Sequence, residues 1–145
     1  MELQKMQYIH IIQQALAEDI GSGDVTTNSI VPPEAHTRAI IHTKQAGVVA
    51  GLAVAGEVFA TLNPSIQFTQ LKQDGDRVAA GEVLAELKGS ARTILTGERV
   101  ALNLLQRMSG IATKTAAMAA LIEDYQAVLV DTRKTTPGLR ILEKY

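Results

Sequence analysis

Val128 to Arg140 reads VLVDTRKTTPGLR. A run of aliphatic residues passes directly into an acid, two adjacent cations, threonines and a Pro-Gly pair. Donors and cations gathered at a strand end suit an anion. Arg133 offers a planar fork that matches a carboxylate, and Lys134 offers a compact point charge. On an extended backbone adjacent side chains point to opposite sides, so one cation could take a carboxylate while the other reaches a phosphate. Thr132, Thr135 and Thr136 could donate hydroxyls to the same anion or cap a turn. Asp131 suits pairing with a basic neighbour or bonding to turn N–H groups. A plain surface turn draws on the same residue types, and spacing alone favours the turn.

A second guanidinium lies in TGERVALNLLQRMSG. On a helix, Arg99, Asn103 and Gln106 share one stripe turned away from Ile94, Ala101 and Leu105. That stripe is either a solvated helix face or a fork aimed at a carboxylate. Glu98 and Arg107 read as surface or ion-pair residues. The three histidines, His10, His36 and His42, are scattered without ligand spacing.

The elements that must carry these residues follow from periodicity. Tyr8, Ile11, Ile12, Ala15 and Leu16 recur at helix spacing and predict an N-terminal amphipathic helix. EDIGSGDVTT, Glu18 to Thr27, reads as an ordered loop of glycines and short polar side chains. TRAIIHTKQAGVVAG predicts two short strands broken at Gly47, and GLAVAGEVFATL a small-residue helix stopped by Asn63-Pro64. IQFTQL alternates, QDGDR turns, and GEVLAELKG is a further strand. Ser90 is placed to cap the longest helix, whose apolar face is Ile94, Leu95, Ala101, Leu102, Leu105 and Met108. Gly110 is expected to interrupt it. Ile111 to Tyr125 then predicts another helix, with Ala116, Met118, Ala119 and Ile122 for packing, and AVLVD a short buried strand.

The chain of 145 residues has 46% hydrophobic and 20% charged residues, a globular composition long enough for one core or one small domain plus part of another. Its net charge of −1 gives no overall field for nucleic acid or an anionic membrane, so any basic site must be local. Aromatics are only 3%, which leaves no stacking platform for single strands. Cysteine is absent, excluding thiolate and disulfide chemistry and fitting a reducing, cytoplasmic location. No stretch approaches the ~20 apolar residues that span a bilayer, and the N-terminus lacks the apolar core of a secretory signal. DGDRVAAGEVLAEL resembles half of a biotinyl or lipoyl carrier domain, yet neither Lys72 in QLKQDG nor Lys44 in HTKQAG sits in a carrier context. A hammerhead-like strand arrangement is the better reading of that segment.

EDIGSGDVTT, GERVALNLLQRMSGIAT and DTRKTTPGLRILEKY together resemble the quinolinate phosphoribosyltransferase family, also called nicotinate-nucleotide pyrophosphorylase (carboxylating). The three matches run in order over nearly the whole chain. The resemblance implies an α+β N-terminal hammerhead-like domain over residues 1–110, then the start of an α/β (TIM-like) barrel over 111–145. Val128 to Asp131 becomes the first barrel strand, with Thr132 onward at its C-terminal end, where barrels keep their sites. It also implies conversion of quinolinate and phosphoribosyl pyrophosphate to nicotinate mononucleotide, pyrophosphate and carbon dioxide, in NAD biosynthesis. Arg133 would contact a quinolinate carboxylate, Lys134 would lie by the phosphoribosyl pyrophosphate or the substrate, and Thr132 would line the same turn. Arg99 would reach a partner's site across the interface of a homodimer or higher homo-oligomer. Mg2+ is expected on the pyrophosphate, with its ligands beyond Tyr145. On this reading the chain is an N-terminal fragment with one barrel strand, inactive by itself, whose Val128–Val130 segment is left unpaired. A relative of the family with another substrate would share these features, and a carrier or binding domain is the alternative of a different class.

Overall fold

The structure, a computed structural model, describes residues 3–145. Helix α1, Lys5–Ile20, buries Tyr8, Ile11, Ile12 and Leu16, the apolar stripe that the sequence spacing sets out. It ends at Gly21 (φ 53°), and Gly23 (φ 131°) completes a turn that a side chain would strain. The following segment is not all loop. Asp24 caps a short helix α2, Val25–Ile30, by accepting from the Thr27 N–H at 3.0 Å. A run of β-branched residues hid this helix, and the cap overrides their weak propensity.

Strand β1, His36–His42, pairs antiparallel with β5, Val83–Ser90, which pairs antiparallel with β3, Gln67–Gln70, giving an open sheet of order β1-β5-β3. A two-residue pair, β2 (Gly47–Val48) with β4 (Arg77–Val78), forms beside it. Strand β4 is too short to show periodicity, and its Arg77 is the last residue of the expected QDGDR turn. Helix α3, Leu52–Leu62, stops at Asn63 before Pro64 as expected. Its buried residues Leu52, Val54, Ala55, Val58 and Phe59 pack against α4, Ala91–Leu121, and the two helices share one core with α1 and the inner face of the sheet. Gly97 permits this approach. A Cβ there would lie 2.9 Å from Phe59 Cδ1 and 3.1 Å from Leu62 Cδ1.

Helix α4 differs from expectation in three ways. It runs unbroken through Gly110 for 31 residues, because an isolated glycine costs only about 1 kcal/mol in a helix and Gly110 faces open space. Its buried face is Ile94, Gly97, Val100, Ala101, Leu104, Leu105 and Met108; Leu95 is exposed and Leu102 only half-buried. Beyond Thr113 the expected packing of Met118 and Ala119 is not made, and both lie exposed. Two hydroxyls of α4 act as surrogate strand partners. Ser109 Oγ accepts from Ala50 N–H (3.0 Å) and donates to its carbonyl (3.2 Å), while Thr113 Oγ1 does the same at Val48 (2.9 and 3.3 Å). The main-chain groups of Val48 and Ala50 that face α4 are thereby satisfied.

The expected buried strand after α4 forms no ladder in this chain. Val128 and Val130 are 82% and 74% exposed and belong to no strand. A strand needs a neighbour to bond to, and the described residues supply none here. The chain closes with one turn of helix, α5, Arg140–Glu143, whose Leu142 returns to the core.

Candidate functional site

The turn that carries Arg133 and Lys134 is built from hydrogen bonds on both flanks. Thr132 Oγ1 accepts from the Lys134 N–H (3.1 Å), and the Thr135 N–H reaches the Arg133 carbonyl (3.0 Å). Arg140 donates to Thr135 Oγ1 (3.1 Å) and to the Arg133 carbonyl (3.3 Å), drawing the turn against α5. Asp131 pairs with Lys144 at 2.9 Å, the basic partner its position called for. Thr132, Thr135 and Thr136 therefore shape the turn, as spacing alone favours. Gly138 (φ 82°) bends the chain out of it.

Glu143 locks the turn to α4. Its Oε1 accepts from Arg107 Nη2 (2.6 Å) and Nε (3.0 Å), and its Oε2 accepts from the Thr136 N–H (2.9 Å). Arg107 also donates to Thr136 Oγ1 at 2.9 Å. The carboxylate is only 7% exposed. Hydrogen bonds from the Thr136 hydroxyl and N–H, then from Arg107, hold its pKa down at about 2. Arg107 is thus the ion-pair residue its sequence position suggests, with the added task of fixing the cationic turn. Among the described residues, the side chains of Arg133 and Lys134 make no hydrogen bond or ion pair, so the frame is fixed while its two cations remain available.

Arg99 stands elsewhere. It lies on the exposed stripe of α4 with Asn103 and Gln106, 66% exposed, and its Nε is 3.2 Å from Asp19 Oδ1 at the end of α1. Among the described residues no hydrogen bond or ion pair links it to Thr132, Arg133 or Lys134. The structure therefore brings three of the four sequence-selected residues together and leaves the fourth on a separate surface.

Several residues at these sites had not been singled out. Arg92 donates to the Val31 carbonyl (2.8 Å) and the Asn28 carbonyl (3.1 Å), holding the C-terminal end of α2 on α4. Thr96 donates to Asp24 Oδ2 at 3.2 Å, one helical turn before Arg99. Hydrogen bonds from the Thr27 side chain and N–H, then from Thr96, and the field of Arg99 hold the Asp24 carboxyl below its ordinary range. These contacts join residues 61 to 72 positions apart, so local periodicity does not announce them. Among the described residues no three of His, Cys, Asp and Glu come close enough to hold a metal ion, and no helix is long and apolar enough to cross a membrane.

A sequence model of the "Quinolinate phosphoribosyl transferase, N-terminal domain" matches residues 24–109, and one of the corresponding C-terminal domain matches residues 111–145. The probable nicotinate-nucleotide pyrophosphorylase [carboxylating] of Bacillus subtilis is 47% identical over 97% of this chain and 48% of its own length. A quinolinate phosphoribosyltransferase [decarboxylating] of Nicotiana tabacum is 43% identical over 93% of this chain and 38% of its own. Among solved structures, NadC from Streptococcus pyogenes superimposes with a TM-score of 0.96 at 41% identity, covering all of this chain and 52% of that one. The nicotinate-nucleotide pyrophosphorylase of Francisella tularensis gives 0.93 at 38%, covering 99% and 51%. The chain spans about half the length of the relatives it matches.

Proposed function

The chain belongs to the quinolinate phosphoribosyltransferase family, and on that premise we propose that it supplies the anion-binding half of a carboxylating nicotinate-nucleotide pyrophosphorylase. Residues 1–110 form its N-terminal unit and residues 111–145 open the catalytic barrel. The observation that carries this reading is the braced turn of Thr132 to Gly138, which presents Arg133 and Lys134 without side-chain partners among the described residues.

The reaction joins the pyridine nitrogen of quinolinate to C1 of the ribose of phosphoribosyl pyrophosphate, with pyrophosphate leaving. The ring nitrogen becomes cationic and accepts the electron pair of the C2–carboxylate bond as carbon dioxide departs. Both reactants are polyanions, and fixed cations must offset their repulsion in a shared pocket. Arg133 forks onto a carboxylate of quinolinate and sets the ring so that its nitrogen faces the sugar. Lys134, its neighbour in the turn, takes a phosphate or the second carboxylate. Thr132 holds the Lys134 backbone in that geometry. Arg99 completes the site of a neighbouring subunit in a homodimer or higher homo-oligomer. Its separation from the turn, with an exposed guanidinium on an outer helix face, supports a contact in trans. Mg2+ is expected to arrive with the phosphoribosyl pyrophosphate. This chain's own part is to bind and orient anions, in keeping with a cytoplasmic enzyme of NAD biosynthesis.

The test uses a protein of the relatives' full length that carries this sequence. Loss of charge-assisted hydrogen bonds worth about 1.5–3 kcal/mol should lower kcat/KM for quinolinate roughly ten- to a hundredfold in Arg133→Ala. Arg133→Lys should also fall, since an ammonium lacks the fork. Mixing Arg99→Ala with Arg133→Ala subunits should restore activity, because each hybrid dimer regains one intact site. Unchanged quinolinate kinetics in both single variants would refute the proposal, and failure to recover on mixing would put Arg99 outside the partner's site.

A further inference from the structure

We propose that Asp19 is the positioning residue for Arg99, so that the EDIGSGDVTT segment serves to aim that guanidinium at the substrate. The inference rests on the reading of Arg99 as a quinolinate contact. Asp19 lies in the last turn of α1, at the negative end of the helix dipole, where an aspartate is disfavoured and where α1 has no basic residue to offset it. Its compensating cation comes from another element, Arg99 of α4, with Nε 3.2 Å from Oδ1. Oδ2 is buried and has no hydrogen-bond partner among the described residues. A buried carboxylate oxygen without a donor is costly, and the guanidinium beside it can supply one. Rotation of Arg99 onto both oxygens turns a single contact into a bidentate fork along its Nε edge.

The same loop fixes α4 one turn earlier. Gly21 and Gly23 reverse the chain so that Asp24 caps α2 and accepts from Thr96 Oγ1 at 3.2 Å. Thr96 and Arg99 are neighbours on the helix surface. Carboxylates on both sides of this turn, Asp19 in contact and Asp24 through its field, thus act on Arg99. Asp19 holds its inner edge, and the outer edge of a 66%-exposed guanidinium faces away from the core. An arginine held before the substrate arrives loses less side-chain entropy on binding, which favours affinity.

In the full-length protein, Asp19→Ala and Asp19→Asn should raise KM for quinolinate between about ten- and a hundredfold, as misplacement of a binding group does, with KM for phosphoribosyl pyrophosphate unchanged. Asp19→Glu should recover part of the loss. Because Asp19 acts through Arg99, Asp19→Ala combined with Arg99→Ala should be no worse than Arg99→Ala alone. Asp19→Asn preserves the side-chain shape and reports on the role if the alanine variant melts below the assay temperature. Additive losses, equal loss for both substrates, or a lowered quinolinate KM would overturn the inference; the last would mean that Asp19 competes with the substrate. An unchanged quinolinate KM in Arg99→Ala would overturn the underlying reading as well, which separates the two failures.

Discussion

Arg133 and Lys134 remain available while the carboxylates beside them are engaged elsewhere, Glu143 with Arg107 and the Thr136 N–H and Asp131 with Lys144. Because the Glu143 pKa falls from an ordinary 4.5 to about 2 in the folded chain, its ionised form stabilises the fold. That contribution is complete above about pH 4.5 and is lost as pH drops toward 2. Glu143→Gln should therefore lower the melting temperature at neutral pH. The gap to the parent should close between pH 4.5 and 2 in thermal melts, whereas a constant gap would show that packing, not charge, is at work. The cationic pair, Asp131 with a basic neighbour, and the Arg107 ion pair were all legible in the sequence, because adjacent residue types state their own chemistry. Glu143 and Asp19 were not. Their partners lie 36 and 80 positions away, and no local pattern marks a long-range carboxylate–guanidinium contact.

Helices α3 and α4 are held close by the absence of a side chain at Gly97. Phe59 fills that space and stacks against Phe68 of β3, centroids 6.1 Å apart, so it cannot retreat. Gly97→Ala should cost about 1 kcal/mol net in urea unfolding, overpacking exceeding the gain in helix propensity. A rise in stability would mean that α3 shifts freely. Elements with a strong period were readable from the residues alone: α1 from its stripe, α3 from its Asn-Pro stop, α4 from its Ser90 cap, which accepts from the Thr93 N–H at 3.3 Å. The misreadings have physical causes. Helix α2 depends on one cap, β4 on two residues, and Gly110 breaks nothing because Ser109 and Thr113, on either side of it, are both tied to the main chain of Val48 and Ala50. The strand expected at Val128 is an unbroken aliphatic run whose pairing requires another strand alongside.

At the scale of the molecule, the core gathers α1, α3, α4 and the sheet, while Leu121, Tyr125, Val128 and Val130 project into solvent. A polypeptide of these 145 residues should self-associate as its concentration rises, and Val128→Lys with Val130→Lys should reduce this without moving Tm. Sedimentation velocity reads the first effect and calorimetry the second; association unaffected by both lysines would place the contact elsewhere. The same polypeptide should form no nicotinate mononucleotide in a direct product assay. Helix α4 carries a last implication. Arg99, which reaches outward, and Arg107, which braces the cationic turn, share one unbroken rod with an axial offset of about 12 Å. A single amino acid inserted between them would swing one guanidinium by about 100° about the axis relative to the other. Length variation along this rod should therefore be forbidden between Arg99 and Arg107 and tolerated after Leu121, where nothing downstream depends on its phase.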